Sequence, residues 1–195
     1  MSKTLMWVLL VLGAALTAPP AAISAEADRD EAAREYFTDL EVIDQNGKRL
    51  RFYSDVLKDR VVLINVIFTN CQDACPLITQ HLIRTRGRLA PAIKDEVWFV
   101  SLSTDPERDT PEAMKAFAER QGVDESRWLF LTGSEENIVQ ILQKLRRYTP
   151  NLNAHSTELL AGTTRERHEW IPLPPGIQPE GIAAVLRSLA EQQPG

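Results

Sequence analysis

The chain contains two cysteines, Cys71 and Cys75, in the run Thr69-Asn70-Cys71-Gln72-Asp73-Ala74-Cys75-Pro76. On a helical turn, a spacing of four brings both side chains to one face, where the sulfurs can form a disulfide or grip one soft metal ion. Both chemistries need thiolate rather than thiol, and a helix N-terminus favours the charged form. A purely structural disulfide is a third reading, but it closes so short a loop that it constrains the unfolded chain little. The three histidines are His81, His155 and His168. His155 opens the strand-like stretch His155 to Leu160. If that strand runs antiparallel to the central one, His155 starts it at the cysteine end of the sheet. His81 falls within the helix after the cysteines and reads as an ordinary helix residue. His168 sits in the charged run Arg165-Glu166-Arg167-His168-Glu169, a solvated position or a partner contact. Asp105, before Pro106, is either a turn-former or a hydrogen-bond acceptor behind the site. No phosphate-cradling glycine loop, His-x-x-x-His pair or nucleophile elbow occurs.

The elements that must position these residues follow from hydrophobic patterning. Val61 to Phe68 is nearly all apolar and rich in β-branched residues, as in a strand covered on both faces. It ends at the cysteine loop, and the carboxyl ends of parallel strands are where such folds build sites. Pro76 opens a helix running to about Leu89, before Pro91. Val97 to Leu102 is strand-like. Asp109-Thr110-Pro111-Glu112 starts a helix that Gly122 ends, with Asp109 as cap candidate and Glu112 three residues on. A strand from Trp128 to Leu131 and a helix opened by Ser134 follow. Then come a strand from His155 to Leu160, a turn at Gly162, a partner strand through about Trp170, a Pro-rich loop over 172–179 and a closing helix over 181–190. Upstream, Phe37 to Ile43 and Leu50 to Tyr53 flank Asn46-Gly47, predicting an N-terminal β-hairpin. Alternating strands and helices make the fold α/β, a sandwich with a parallel centre and an antiparallel edge.

Composition sets the outer bounds. The 195 residues carry 22 Lys+Arg against 27 Asp+Glu, a net charge of -5, and 44% are apolar, which describes one globular domain. The acidic balance, with no basic stripe, excludes a general nucleic-acid binder. Residues 1–25 carry one charge, Lys3, then an apolar run from Leu5 to Ala18 and the small-residue stretch Ile23-Ser24-Ala25. At about 14 residues this run falls short of the ~20 of a spanning helix. It reads as a secretory signal cleaved after Ala25, with an uncleaved membrane anchor as the alternative. The predicted organisation is 1–25 as signal or anchor, 26–35 as a charged linker and 36–190 as the folded domain. The predicted compartment is extracytoplasmic, where thiols tend toward disulfides.

The run Phe68-Thr69-Asn70-Cys71-Gln72-Asp73-Ala74-Cys75-Pro76, followed in order by Thr104-Asp105-Pro106 through Gly122 and by His155-Ser156-Thr157-Glu158-Leu159-Leu160, resembles the Sco (SenC-type) proteins. The resemblance spans roughly 36–189. It implies a thioredoxin-like three-layer sandwich with a mixed central sheet, and a copper ion held by Cys71, Cys75 and His155. It also matches Asp105-Pro106 to a family motif, with Asp105 behind the ligands. Two thiolates and one imidazole form a donor set soft enough for Cu(I), whereas zinc would want a fourth donor. The implied function is a periplasmic copper metallochaperone, possible inner-membrane anchoring included, that serves a cytochrome oxidase subunit or another copper-accepting exported protein. Two positions and one stretch depart from the family pattern: Gln72 replaces a proline, Ala154 an aspartate, and Ala161 to Trp170 an aspartate-bearing turn.

The alternative function is a thiol-disulfide oxidoreductase using Cys71 and Cys75 as its redox pair with a thiol reductant partner, or a redox sensor. Three residues between the cysteines, rather than the two of thioredoxin-type catalysts, count against catalysis. Met114 is the only methionine beyond residue 6, which excludes a methionine-rich copper carrier.

Overall fold

The computed structural model describes residues 20–152, 157–165 and 169–191. Helix α1 (Pro20–Phe37) leads into strands β1 (Glu41–Asp44) and β2 (Arg49–Arg51) and a π-helical turn, Phe52–Leu57. Then follow β3 (Val61–Ile67), α2 (Ala74–Gly87), the short α3 (Pro91–Lys94), β4 (Val97–Ser103), α4 (Pro111–Gln121), β5 (Trp128–Thr132) and α5 (Glu135–Lys144). Strands β6 (Leu159–Thr163) and β7 (Trp170–Leu173) and helix α6 (Pro179–Glu191) complete the described chain.

The seven strands form one mixed sheet in the order β2-β1-β5-β4-β3-β6-β7. Strands β3, β4 and β5 are parallel, and β1 and β6 join them antiparallel on either side. Every residue of β3 is buried, because successive side chains serve two cores. Val61, Leu63 and Ile67 pack with Leu82 of α2, Phe117 of α4 and Leu186 of α6. Val62, Ile64 and Val66 face the other way, with Phe37 of α1 and Ile141 of α5. Helices therefore cover both faces, the expected three-layer α/β sandwich.

Local chemistry explains most boundaries. Thr110 and Ser134 cap α4 and α5, their hydroxyls accepting the N–H of Ala113 at 3.2 Å and of Asn137 at 3.3 Å. Gly122 ends α4 at φ 70°, where glycine has no Cβ to clash. The β1–β2 turn holds together because Asp44 Oδ1 accepts the N–H groups of Asn46 and Lys48 at 2.8 and 2.9 Å.

Five local expectations change. The charged segment 26–35 is helical rather than a linker, since α1 runs through it. Asp30 accepts hydrogen bonds from the Tyr53 hydroxyl at 2.7 Å and from Lys58 at 2.8 Å, so polar side chains dock this helix where apolar periodicity is lacking. Phe52 and Tyr53 leave the hairpin: with Val56 and Leu57 they bury one side of the π-helical turn, a spacing that a two-residue alternation cannot provide. Asp109 is buried rather than capping, and Thr110 takes the cap. Gly162 lies within β6, paired with Val62 and Trp170, rather than at a turn. A Cβ there would stand 2.3 Å from Cε3 of Trp170, so glycine is what lets the indole lie across the strand. β7 also extends into the Pro-rich segment, with Pro172 tolerated on an edge strand.

Candidate metal centre

Strand β3 ends at Ile67, and Cys71 and Cys75 follow in the connection to α2 and in its first turn. No disulfide joins the two cysteines; Cys71 is partly accessible and Cys75 is fully buried. The Cys75 N–H donates to Sγ of Cys71 at 3.3 Å, and the N–H groups of Asp73 and Ala74 also bond this sulfur. Burial pushes the Cys71 thiol up, but these N–H groups and the Cys75 thiol outweigh it and hold Cys71 below its ordinary value. Cys75 has the opposite character. Burial pushes its thiol up to about 12, with the Phe68 N–H offsetting part of the rise and the neighbouring Cys71 adding to it. The sulfurs therefore differ in kind, one partly accessible with its thiol held below the ordinary value, the other buried with its thiol pushed up to about 12.

The loop carrying them is tied to the neighbouring strand by Asp109. Its Oδ1 accepts the Thr69 N–H at 2.9 Å and the Thr69 hydroxyl at 2.6 Å, while Oδ2 accepts the Ser103 hydroxyl at 2.6 Å. The Thr104 N–H donates to the Ile67 carbonyl at 2.8 Å, continuing the β3–β4 pairing to the edge of the site. Asp109 has no solvent exposure. Burial raises its pKa, with the Ser103 and Thr69 bonds offsetting part of the rise. A polar seam continues beneath: the Trp128 indole donates to Ser101 at 3.0 Å, and the Ser101 hydroxyl donates to Asn65 at 2.8 Å.

Asp105 lies at the same strand end, with its N–H on the Ser103 oxygen at 3.0 Å and both carboxylate oxygens 3.0 Å from Nη1 of Arg108. Its carboxylate is thus occupied by Arg108, and Asp109 is the acid bonded to the cysteine loop. Sequence reasoning missed Asp109, Thr69 and Ser103. The available signal was Ser101 and Ser103 at alternate positions of an otherwise apolar strand, which marks a polar stripe down one sheet face. His81 lies on α2 beside a groove of about 220 Å³, together with Leu77, Thr157, Pro174 and Ile177. Leu77, two residues past Cys75, is 72% exposed. His155 and His168 lie outside the described residues. Among the described residues, no group of three His, Cys, Asp or Glu side chains gathers to hold a metal ion. No helix among them is long and apolar enough to cross a membrane.

A mixed sheet covered by helices on both faces, with a dithiol where its central strand meets a helix, defines a thioredoxin-like protein. Within that class the SCO1/SenC family model matches residues 28–165, and the chain belongs to this family. It is 36% identical over 96 residues to the SCO1 protein homolog of Bacillus subtilis (strain 168), a match covering 49% of this chain and 48% of that one. The chain thus aligns with about half the length of that relative. Among solved structures it is similar to a SCO1/SenC family lipoprotein from Bacillus anthracis str. Ames, at TM-score 0.65 and 29% identity, covering 78% of this chain and 93% of the other. It is also similar to Bradyrhizobium japonicum ScoI, solved with copper bound, at TM-score 0.60 and 28% identity, covering 76% and 96%.

Proposed function

We propose that the protein is an extracytoplasmic copper metallochaperone that holds one copper ion, its cargo, on Cys71, Cys75 and His155 and passes it to a respiratory cytochrome oxidase or a related copper site. The observation that carries this reading is the Cys71–Cys75 arrangement, in which the loop leading into α2 and the first turn of that helix bring two soft donors together, the first with its thiol held below the ordinary value. Copper bound to the similar Bradyrhizobium japonicum ScoI supports the choice of metal. The register of β6 supports His155 as third donor. Leu160 pairs with Ile64, so the chain before β6 heads toward the cysteine end of β3, and Thr157 shares a groove with Leu77. Delivery proceeds by ligand exchange, a recipient's thiolate or imidazole displacing these donors in turn. Cys75, protonated at neutral pH, gives up its proton as the metal binds, so loading releases acid. The proposed location is the periplasm, with residues 1–25 as cleaved signal or inner-membrane anchor.

The unequal thiols also favour a second reading, a thiol-disulfide oxidoreductase in which Cys71 attacks a partner disulfide and Cys75 resolves the mixed disulfide. Anaerobic Cu(I) titration against a competing chelator separates the two. The parent should retain copper, Cys71→Ser and Cys75→Ser should abolish retention, and His155→Ala should weaken it at least ~10-fold while leaving the dithiol able to cycle. Equal retention by His155→Ala removes the three-donor site. A parent that binds no copper but reduces partner disulfides replaces the chaperone with the oxidoreductase.

A further inference from the structure

The sheet face opposite the dithiol carries a larger cavity. A cleft of about 610 Å³ lies between α1, the C-terminal end of α5 and strands β6 and β7. That volume is within the range of sites for small organic ligands, about 300–1,000 Å³. Its apolar lining includes Ala33, Tyr36, Phe37, Leu145, Leu160 and Trp170, with the Phe37 and Trp170 ring centroids 4.6 Å apart.

The charged lining is of one sign. Arg29, Lys144, Arg146 and Arg147 border the cleft and no acidic residue does, although the whole chain carries a net charge of -5. Arg147 pairs with Glu158 at 3.3 Å, whereas Arg29, Lys144 and Arg146 have no carboxylate partner among the described residues. Electrostatics at the end of α5 would favour cations over 144–147, but not Arg29, which α1 contributes. Arg146 also adopts φ 57°, the left-handed position just beyond a helix end where glycine is ordinarily favoured. The chain accepts that conformational strain and places a guanidinium at the cleft. Among the described residues two further buried donors have no acceptor, the indole N–H of Trp170 and Nε of Arg147.

We infer that this cleft binds an anionic amphiphile with a single apolar chain, a long-chain carboxylate. Its acyl part lies along Phe37, Leu160 and Trp170, and its carboxylate lies among Arg29, Lys144 and Arg146. Guanidinium groups suit the head because they meet a carboxylate with two parallel N–H donors, and the aromatic lining supplies the apolar contact that a small anion could not use.

The test uses the full chain and oleate below its micelle concentration, read by calorimetry and by tryptophan fluorescence, with acetate and methyl oleate as probes lacking chain or charge. Oleate should bind saturably and both controls should bind at least ~10-fold more weakly. Arg29→Glu combined with Arg146→Glu should weaken oleate at least ~10-fold, and so should Ala32→Trp, which fills the mouth of the cleft from an exposed position. Unchanged thermal unfolding of these variants excludes loss of fold. Absence of saturable binding, equal binding of methyl oleate, or full affinity in both variants overturns the inference. Competition by phosphatidylglycerol vesicles but not by phosphatidylcholine vesicles also overturns it, by assigning the cleft to a membrane headgroup. So does a structure of the full chain with the run Leu5 to Ala18 seated there.

Discussion

Sγ of Cys71 accepts the backbone N–H of Cys75 at 3.3 Å and so stands where a serine or aspartate oxygen usually caps a helix. Asp73 occupies the N-cap position but makes no side-chain cap bond, leaving the free N–H groups of the first turn to the sulfur. The two cysteines thus become unequal through the burial of Cys75 and the backbone N–H groups aimed at Cys71.

That inequality predicts the order of modification. In reduced, metal-free protein, Cys71 should react with iodoacetamide first, at a rate that rises with pH and levels off below the ordinary thiol range. Cys75, pushed up to about 12 and buried, should remain unmodified at neutral pH until the fold opens. Peptide mass mapping after timed alkylation checks this, and equal labelling of both sites at neutral pH would contradict it.

Asp109 should be the costliest residue of the site to remove. Asp109→Ala leaves three donors, two from Thr69 and one from Ser103, without their acceptor, a loss of about 2–4 kcal/mol in denaturant unfolding. Asp109→Asn keeps an acceptor and removes the charge. Because the native pKa is raised, the stability favouring the parent is present below the unfolded carboxyl value and is lost as pH rises through the native one. The stability of the parent relative to Asp109→Asn should therefore fall between acid and neutral pH.

Asp30 has the opposite sign. The Lys58 hydrogen bond, ahead of the Tyr53 hydroxyl and Arg34, holds its carboxyl below the usual range, so its contribution is present above the unfolded value and lost as pH falls through the native one. Acidification should loosen α1 before the sheet unfolds. Limited proteolysis should show cleavage within 27–37 at acid pH while the rest resists. Asp30→Asn should show that cleavage at neutral pH.

Gly162→Ala should displace the Trp170 ring, since the new methyl would meet Cε3 at 2.3 Å and Cδ2 at 2.5 Å. A cost of about 1–3 kcal/mol is expected, with a changed near-UV signal from the indole. An unchanged spectrum and stability would show that the ring moves freely.

The sheet was legible in the sequence because β3, β4 and β5 are runs of apolar residues too short for helices, separated by segments with recognisable caps. Ser134 and Gly122 announce a helix start and a helix end through local chemistry. The cysteine pair was legible for the same reason, its spacing being local. Asp109 was not: its partners come from β3's loop and β4's end, and sequence reading gave it to the cap because Asp and Thr are both good caps. Helix α1 was obscured by its docking through Asp30, whose partners Tyr53 and Lys58 lie more than 20 residues away and leave no apolar period. Gly162 read as a turn because the close approach of Trp170 is invisible until β6 and β7 are paired.

The order of strands in the sheet differs from their order along the chain, and this has a consequence for assembly. During synthesis β3 gains β4 as soon as Val97–Ser103 is available, but its other edge stays open until β6, Leu159–Thr163, has been made. Pairing across so many residues is slow, because a long loop must close before any contact rewards it. Until then the cysteine segment hangs from a half-paired strand, and its thiols meet the surrounding solution before the finished fold can distinguish one from the other.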